Sequence, residues 1–222
     1  MIDVVLKIGG RLGRGEKLEA LCQSLTNLGR RHRILVVPGG GAFADTVRDY
    51  DARYQLSSSA SHWMAVLAMD QFGHLLSELI PDSKPVRSLP SAGRVAGAGR
   101  VPVLIPFDLL WREDPLAHSW SVTSDAIAAW VAELARAPML ILLKTVDGLY
   151  ADLSGSQASA VLLEEIVLEH LAVSNGVDDC LASILDANDL ELWIINGEKP
   201  DRVAELLDKG HTKGTHLKRS FP

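Results

Sequence analysis

Twice within its first 45 residues the chain runs from a short β-branched strand directly into glycine and then into a helix. The stretch "VVLKIGG" covers 4–10 and "ILVVPGGG" covers 34–41. Between them, Leu18, Leu21, Cys22, Leu25 and Leu28 recur at helical spacing. The same order of strand, turn and helix returns in "PMLILLKTVDGLY" (138–150) and in "ELWIINGEKPDRVAELLDKG" (191–210). Strands that are apolar on both faces and separated by helices predict an α/β fold with a largely parallel sheet. "WMAVLAMDQFGHLLSELI" and "TSDAIAAWVAELA" read as helices, and "GRVPVLIPFDLL" holds a further strand. "SLPSAGRVAGAGRVP" (88–102) is the loosest stretch and reads as a mobile loop or a surface turn. The pattern is least defined over 45–60 and 151–190.

At 222 residues the chain suits one domain, and 47% hydrophobic residues give it material for a sizeable core. A net charge of −6 argues against a general nucleic-acid binder, while leaving room for a local cationic pocket. Cys22 and Cys180 are the two cysteines and form no CxxC, so a disulfide framework is not expected and a reducing cytoplasm is. Asp3 and Lys7 make the amino-terminal run a poor secretory signal. No apolar stretch approaches the roughly 18 residues of a membrane span.

The glycines are the first chemical signal. Gly9 and Gly10, then Gly39, Gly40 and Gly41, stand where helix N-termini can present bare backbone N–H groups to phosphate. Strand-to-helix turns often hold glycine for shape alone. The second turn also satisfies a G-x-G-x-x-A dinucleotide fingerprint through Gly39, Gly41 and Ala44, but "SSSAS" stands at 57–61, where an acidic residue is required. No P-loop occurs, because Glu16 follows Gly15. Lys144 ends the apolar run "MLILL" and must reach water or an anion. Asp125 sits in the first turn of a helix, where Thr123 or Ser124 would cap and the carboxylate would favour the dipole. Asp147-Gly148 is an ordinary turn pair. His62, Trp63, His118 and Trp120 suit a core or a pocket rim, with no spacing that suggests zinc.

In chain order these pieces resemble the amino acid kinase superfamily. The resemblance rests on "LKIGG" (6–10), "VVPGGGAFAD" (36–45), "TSDAIAAW" (123–130), "LLKTVDGLY" (142–150) and "INGEKPDRVAELLDKGHTKGT" (195–215). The last is most similar to the branch of uridylate and isopentenyl phosphate kinases. "MAVLAMDQFG" (64–73) and "HSWSVTSDAIAAW" (118–130) resemble the methanofuran-biosynthesis branch, whose acceptor is an aminomethyl-furan-methyl phosphate.

The resemblance implies a three-layer αβα sandwich, with an acceptor half at about 1–120 and an ATP half at about 121–222. It implies Lys7 and Lys144 as cations at the transferring phosphoryl group, with Asp125 orienting them or a metal. Gly9, Gly10, Gly39, Gly40, Gly41 and Trp120 would meet the acceptor or its phosphate. Thr145, Asp147, Gly148, Tyr150, Asn196 and Lys199 would meet ATP, accompanied by Mg²⁺. Arg11 stands where relatives carry Ser or Thr, and Asp152 lacks the proline that follows it in many of them.

Two other functions stay open on sequence: a binding or storage protein of the same fold without turnover, and a nicotinamide-dependent oxidoreductase built on "GGGAFA". A homo-oligomer is expected, because the helix over 61–80 is apolar on more than one face.

Overall fold

The computed structural model describes residues 1–151, 161–167, 180–181, 184–185 and 190–218. Strand β1 (Val4–Ile8) is central. It pairs in parallel with β2 (Ile34–Pro38) on one side and with β5 (Met139–Lys144) on the other. Beyond β2 lie β4 (Pro102–Leu104) and the edge strand β3 (Lys84–Val86). Beyond β5 come β9 (Glu191–Asn196), β10 (Thr215–Lys218) and β8 (Glu165–Val167). Among the described residues the sheet therefore runs β3-β4-β2-β1-β5-β9-β10-β8. It is parallel except where β10 turns back against β9. A separate two-stranded ribbon pairs β6 (Tyr150–Ala151) with β7 (Val161–Leu162).

The helices are α1 (Leu18–Gly29), α2 (Gly41–Tyr54), α3 (Ser58–Leu79), α4 (Leu89–Gly97), α5 (Phe107–Glu113), α6 (Ser124–Leu134) and α7 (Asp201–Lys209). Strand alternation sorts them into two layers. Val4, Leu6 and Ile8 pack with Leu21 and Leu25 of α1 and Val203 of α7. Val5, Leu140 and Leu142 point the other way, onto Ala126 and Ala129 of α6 and Ala92 of α4. The three-layer sandwich expected from the sequence is the one observed. No helix among the described residues is long and apolar enough to cross a membrane.

The stretch over 88–102 is a correction, since it holds α4 instead of a loop. Proline at its start suits a helix's first turn, and Ala92 and Ala96 bury its inner face. Gly93 and Gly97 misled the reading, because their missing side chains would meet open space. The ill-defined 45–60 region is likewise two helices, with Gln55 in the left-handed conformation ending α2 and the Ser57 hydroxyl capping α3 through the Ala60 amide at 3.2 Å. Cys22 is buried in the α1 layer, and burial, assisted by Glu19, pushes its thiol up to about 12, which makes it inert.

Candidate active site

Sheet geometry alone brings Lys7 and Lys144 together. Lys7 is registered opposite Leu142 on the adjoining strand, and Lys144 stands two residues beyond Leu142. A two-residue step returns to the same face, so both ammoniums project toward the layer that contains α6. Asp125 waits there in the first turn of α6 and is 6% exposed. Lys144 Nζ donates to Asp125 Oδ2 at 2.7 Å. Lys7 Nζ forms an ion pair with Oδ1 at 2.7 Å. Thr123, not Asp125, caps the helix, its Oγ1 accepting the Asp125 N–H at 3.1 Å. Burial would raise the Asp125 carboxyl, but the ammoniums of Lys7 and then Lys144 outweigh it and hold the carboxyl down at about 2. The carboxylate's contribution to stability is thus present above about pH 4 and is lost as pH falls toward 2.

The glycine turns interlock. A Cβ on Gly10 would fall 2.1 Å from the Gly41 amide nitrogen, and one on Gly39 would fall 2.7 Å from the Gly10 nitrogen. Gly41 also takes the left-handed conformation, at φ +57°. The shape argument for these glycines therefore holds at full strength, and it does not displace the phosphate argument. With no side-chain cap on α2, its first amides are left for a ligand, and Gly9, Gly10, Gly40 and Gly41 line the cavity above them. Gly39 is not in that lining and donates its N–H to Ile8 O at 2.9 Å. Gly10→Ala is expected to force the two turns apart and cost several degrees of melting temperature. A melting curve of the variant matching wild type would contradict this.

The cavity is about 1290 Å³ and opens at the carboxyl ends of β1 and β5. Its described lining holds five cations, Lys7, Arg11, Arg14, Arg48 and Lys144, against two carboxylates, Asp45 and Asp125. A chain of net charge −6 thus concentrates positive charge where a polyanion would sit. Trp120 also lines it, and the Arg48 guanidinium lies 4.8 Å from the centre of its ring. Arg14, Asp45 and Arg48 were not singled out on sequence. Nothing in the local pattern marks them out, since each is an ordinary charged residue close behind a glycine turn.

On the expected ATP side, Thr145, Gly148 and Tyr150 line the same cavity, whereas Asp147, Asn196 and Lys199 do not. Asp147 is a fastening point. It accepts from Arg202 at 2.7 Å and from Asn196 at 3.0 Å, with Lys213 Nζ 2.9 Å away. The Arg202 hydrogen bond, followed by those of Lys213 and Asn196, holds its carboxyl well below the usual carboxylate range. Asn196 Oδ1 in turn accepts the Glu198 N–H at 2.9 Å, and Lys199 is exposed. Arg11 lines the cavity, and Asp152 lies outside the described residues.

Mg²⁺ finds no protein cage here. Among the described residues no group of three or more His, Cys, Asp or Glu side chains is placed to hold a metal. Both Asp125 oxygens face lysines.

An αβα sandwich that gathers cations and bare backbone amides at the ends of its strands is built to handle phosphoryl groups. The chain belongs to the amino acid kinase family, whose model matches residues 4–196. It is 30% identical over 215 residues to a (5-(aminomethyl)furan-3-yl)methyl phosphate kinase of Methanocaldococcus jannaschii, covering 96% of each chain. In structure it is similar to uridylate kinase of Archaeoglobus fulgidus, with a TM-score of 0.76 at 22% identity, over 98% of this chain and 100% of that one. A T. acidophilum isopentenyl phosphate kinase product complex gives a TM-score of 0.63 at 19% identity, over 98% and 100% of the two chains. Family membership replaces the nicotinamide alternative and identifies the chain as a phosphotransferase.

Proposed function

We propose that the protein transfers the γ-phosphoryl group of ATP to a small acceptor that already carries a phosphate. The observation that carries this reading is the Lys7–Asp125–Lys144 triad on the cavity wall beside two open glycine turns. Phosphoryl transfer asks for positioning and for stabilisation of charge on the equatorial oxygens. Lys7 and Lys144 supply that charge. Asp125 fixes where they point, and the amides of Gly10, Gly40 and Gly41 cradle phosphate oxygens, while the Gly9 N–H is spent on Leu143 O at 2.9 Å. An acceptor phosphate is already ionised near neutral pH, its second pKa being about 6, so no general base is needed. Mg²⁺ held by the nucleotide's own phosphates would screen their charge, which suits an ion that keeps its waters and needs few protein ligands.

In this reading the acceptor occupies the half at about 1–120 and ATP the half at about 121–222. Thr145, Gly148 and Tyr150 face the nucleotide, while Asp147 and Asn196 brace that wall from behind. The acceptor favoured is (5-(aminomethyl)furan-3-yl)methyl phosphate, on the strength of the M. jannaschii relative. ADP release from ATP·Mg²⁺ should appear with this compound and exceed that with uridine monophosphate, isopentenyl phosphate or no acceptor. A higher rate with another acceptor overturns the substrate. No release with any of them favours the non-catalytic binding protein.

The reading places the reaction in a reducing cytoplasm, in keeping with two cysteines that form no CxxC. It also includes a homo-oligomer, on narrower grounds than the sequence offered. Val66, Met69, Phe72 and Leu76 of α3 are buried within the chain itself, whereas Leu67 and Leu75 are exposed and lie on one side of the helix. Light scattering is expected to give a multiple of 24.0 kDa, and a single 24.0 kDa species at micromolar concentration would exclude the oligomer.

A further inference from the structure

The cavity contains a second cation–carboxylate–cation cluster, built from arginines. Asp45 Oδ1 accepts from Arg48 at 2.8 Å, and its Oδ2 accepts from Arg14. We propose that Arg14 and Arg48, spaced by Asp45, form a clamp that takes the phosphate monoester of the acceptor. The proposal deepens the kinase reading and rests on it for the word acceptor.

Three observations carry it. The first is placement. Arg14 ends the short 3₁₀ turn that starts at Gly10, and Arg48 stands on the second turn of α2, so both come from the elements that follow the interlocked glycines. Helical side chains lean toward the helix N-terminus, and the pairing of Arg48 with Asp45 one turn back records that lean. Both guanidiniums thus converge on the amide-bearing start of α2 and line the cavity.

The second is chemistry. The cluster carries one net positive charge, and a guanidinium fork matches two oxygens of a phosphate where an ammonium cannot. Arg48 is already held in place, since its guanidinium carbon lies over the ring of Trp120, whose indole N–H donates to Asp51.

The third is exposure, which separates this cluster from the lysine triad. The side chains of Arg14, Asp45 and Arg48 are 60%, 47% and 56% exposed, against 7% and 9% for Lys7 and Asp125. Exposed ion pairs are weak and re-form readily with a new partner, so Asp45 can release both forks to a dianion. The buried triad cannot re-pair so freely. The inner cluster accordingly suits the group being transferred, and the outer one the group that selects the acceptor.

The test uses the full chain saturated with Mg²⁺ and a non-hydrolysable ATP analogue, so that the nucleotide phosphate sites are filled. Inorganic phosphate and (5-(aminomethyl)furan-3-yl)methyl phosphate are titrated calorimetrically into wild type, the R14A/R48A double variant and R48K. The double variant should lose at least tenfold in affinity for both probes, with ATP·Mg²⁺ affinity changed less than twofold. R48K should fall between, since it keeps the charge and loses the fork. In turnover, the acceptor KM should rise at least tenfold while kcat moves less than threefold. Failure of wild type to bind either probe overturns the clamp, as does unchanged affinity in the double variant. An equal loss of ATP affinity reassigns the arginines to the nucleotide and overturns it too. If wild type binds the probes through the arginines but releases no ADP, the kinase reading falls and the clamp stands.

Discussion

Asp125→Asn is expected to abolish turnover and to lower the melting temperature in the same preparation. The substitution preserves shape and leaves the cap intact, because Thr123 Oγ1 accepts the backbone N–H of residue 125, which the substitution keeps. What it removes is the charge between two ammoniums that each lie 2.7 Å from it. On helix position alone, a shift of a few degrees would be expected. Burial makes it larger, since breaking a buried ion pair costs about 3–5 kcal/mol. For a domain of this size that is on the order of ten degrees. ATP·Mg²⁺ should return part of the loss, because it supplies negative charge to the stranded lysines. At about 100 times its dissociation constant a ligand adds roughly 2.7 kcal/mol. A variant that melts like wild type and keeps its activity would reduce Asp125 to a dipole partner and remove the centre of the mechanism.

Lys144→Ala should separate catalysis from folding more cleanly. Its side chain is 23% exposed, and its loss leaves Asp125 still paired with Lys7. The fold should survive with a modest change in melting temperature. Turnover should fall by about 10²–10³, the loss seen when one donor to developing charge is removed. The KM for ATP should change far less, because a cation matched to the transition state contributes little in the ground state. Equal losses in kcat and in ATP affinity would make Lys144 a binding residue, and full activity would remove it from the site.

The sequence was most legible where strand, turn and function coincide. Lys7 and Lys144 each close an apolar strand, and an ammonium there contradicts its surroundings enough to be noticed. Asp125 was visible only as a helix-start residue, because its partners come from strands 118 positions before it and 19 after it. The Arg14–Asp45–Arg48 cluster was invisible for the same reason, since Arg14 and Asp45 lie 31 residues apart and neither breaks a local pattern. Asp147 and Asn196 were read as nucleotide contacts because they sit in the right turns. Only coordinates reveal that Arg202 and Lys213 occupy the Asp147 carboxylate. Over 88–102, composition misled outright, because the inward alanines mattered more than the outward glycines.

The spacing of the two lysines has a consequence for how such a protein tolerates change. Lys7 and Lys144 stand on neighbouring strands joined by backbone hydrogen bonds, so the sheet itself acts as the ruler that sets their separation. Loop insertions, exchanged helix surfaces or a remodelled acceptor wall leave that ruler untouched. A slip of one residue between β1 and β5 would instead turn one lysine to the opposite face, away from Asp125. Variation around Arg14, Arg48 and Trp120 should therefore leave the lysine spacing intact, whereas a change in the pairing of the two central strands would not.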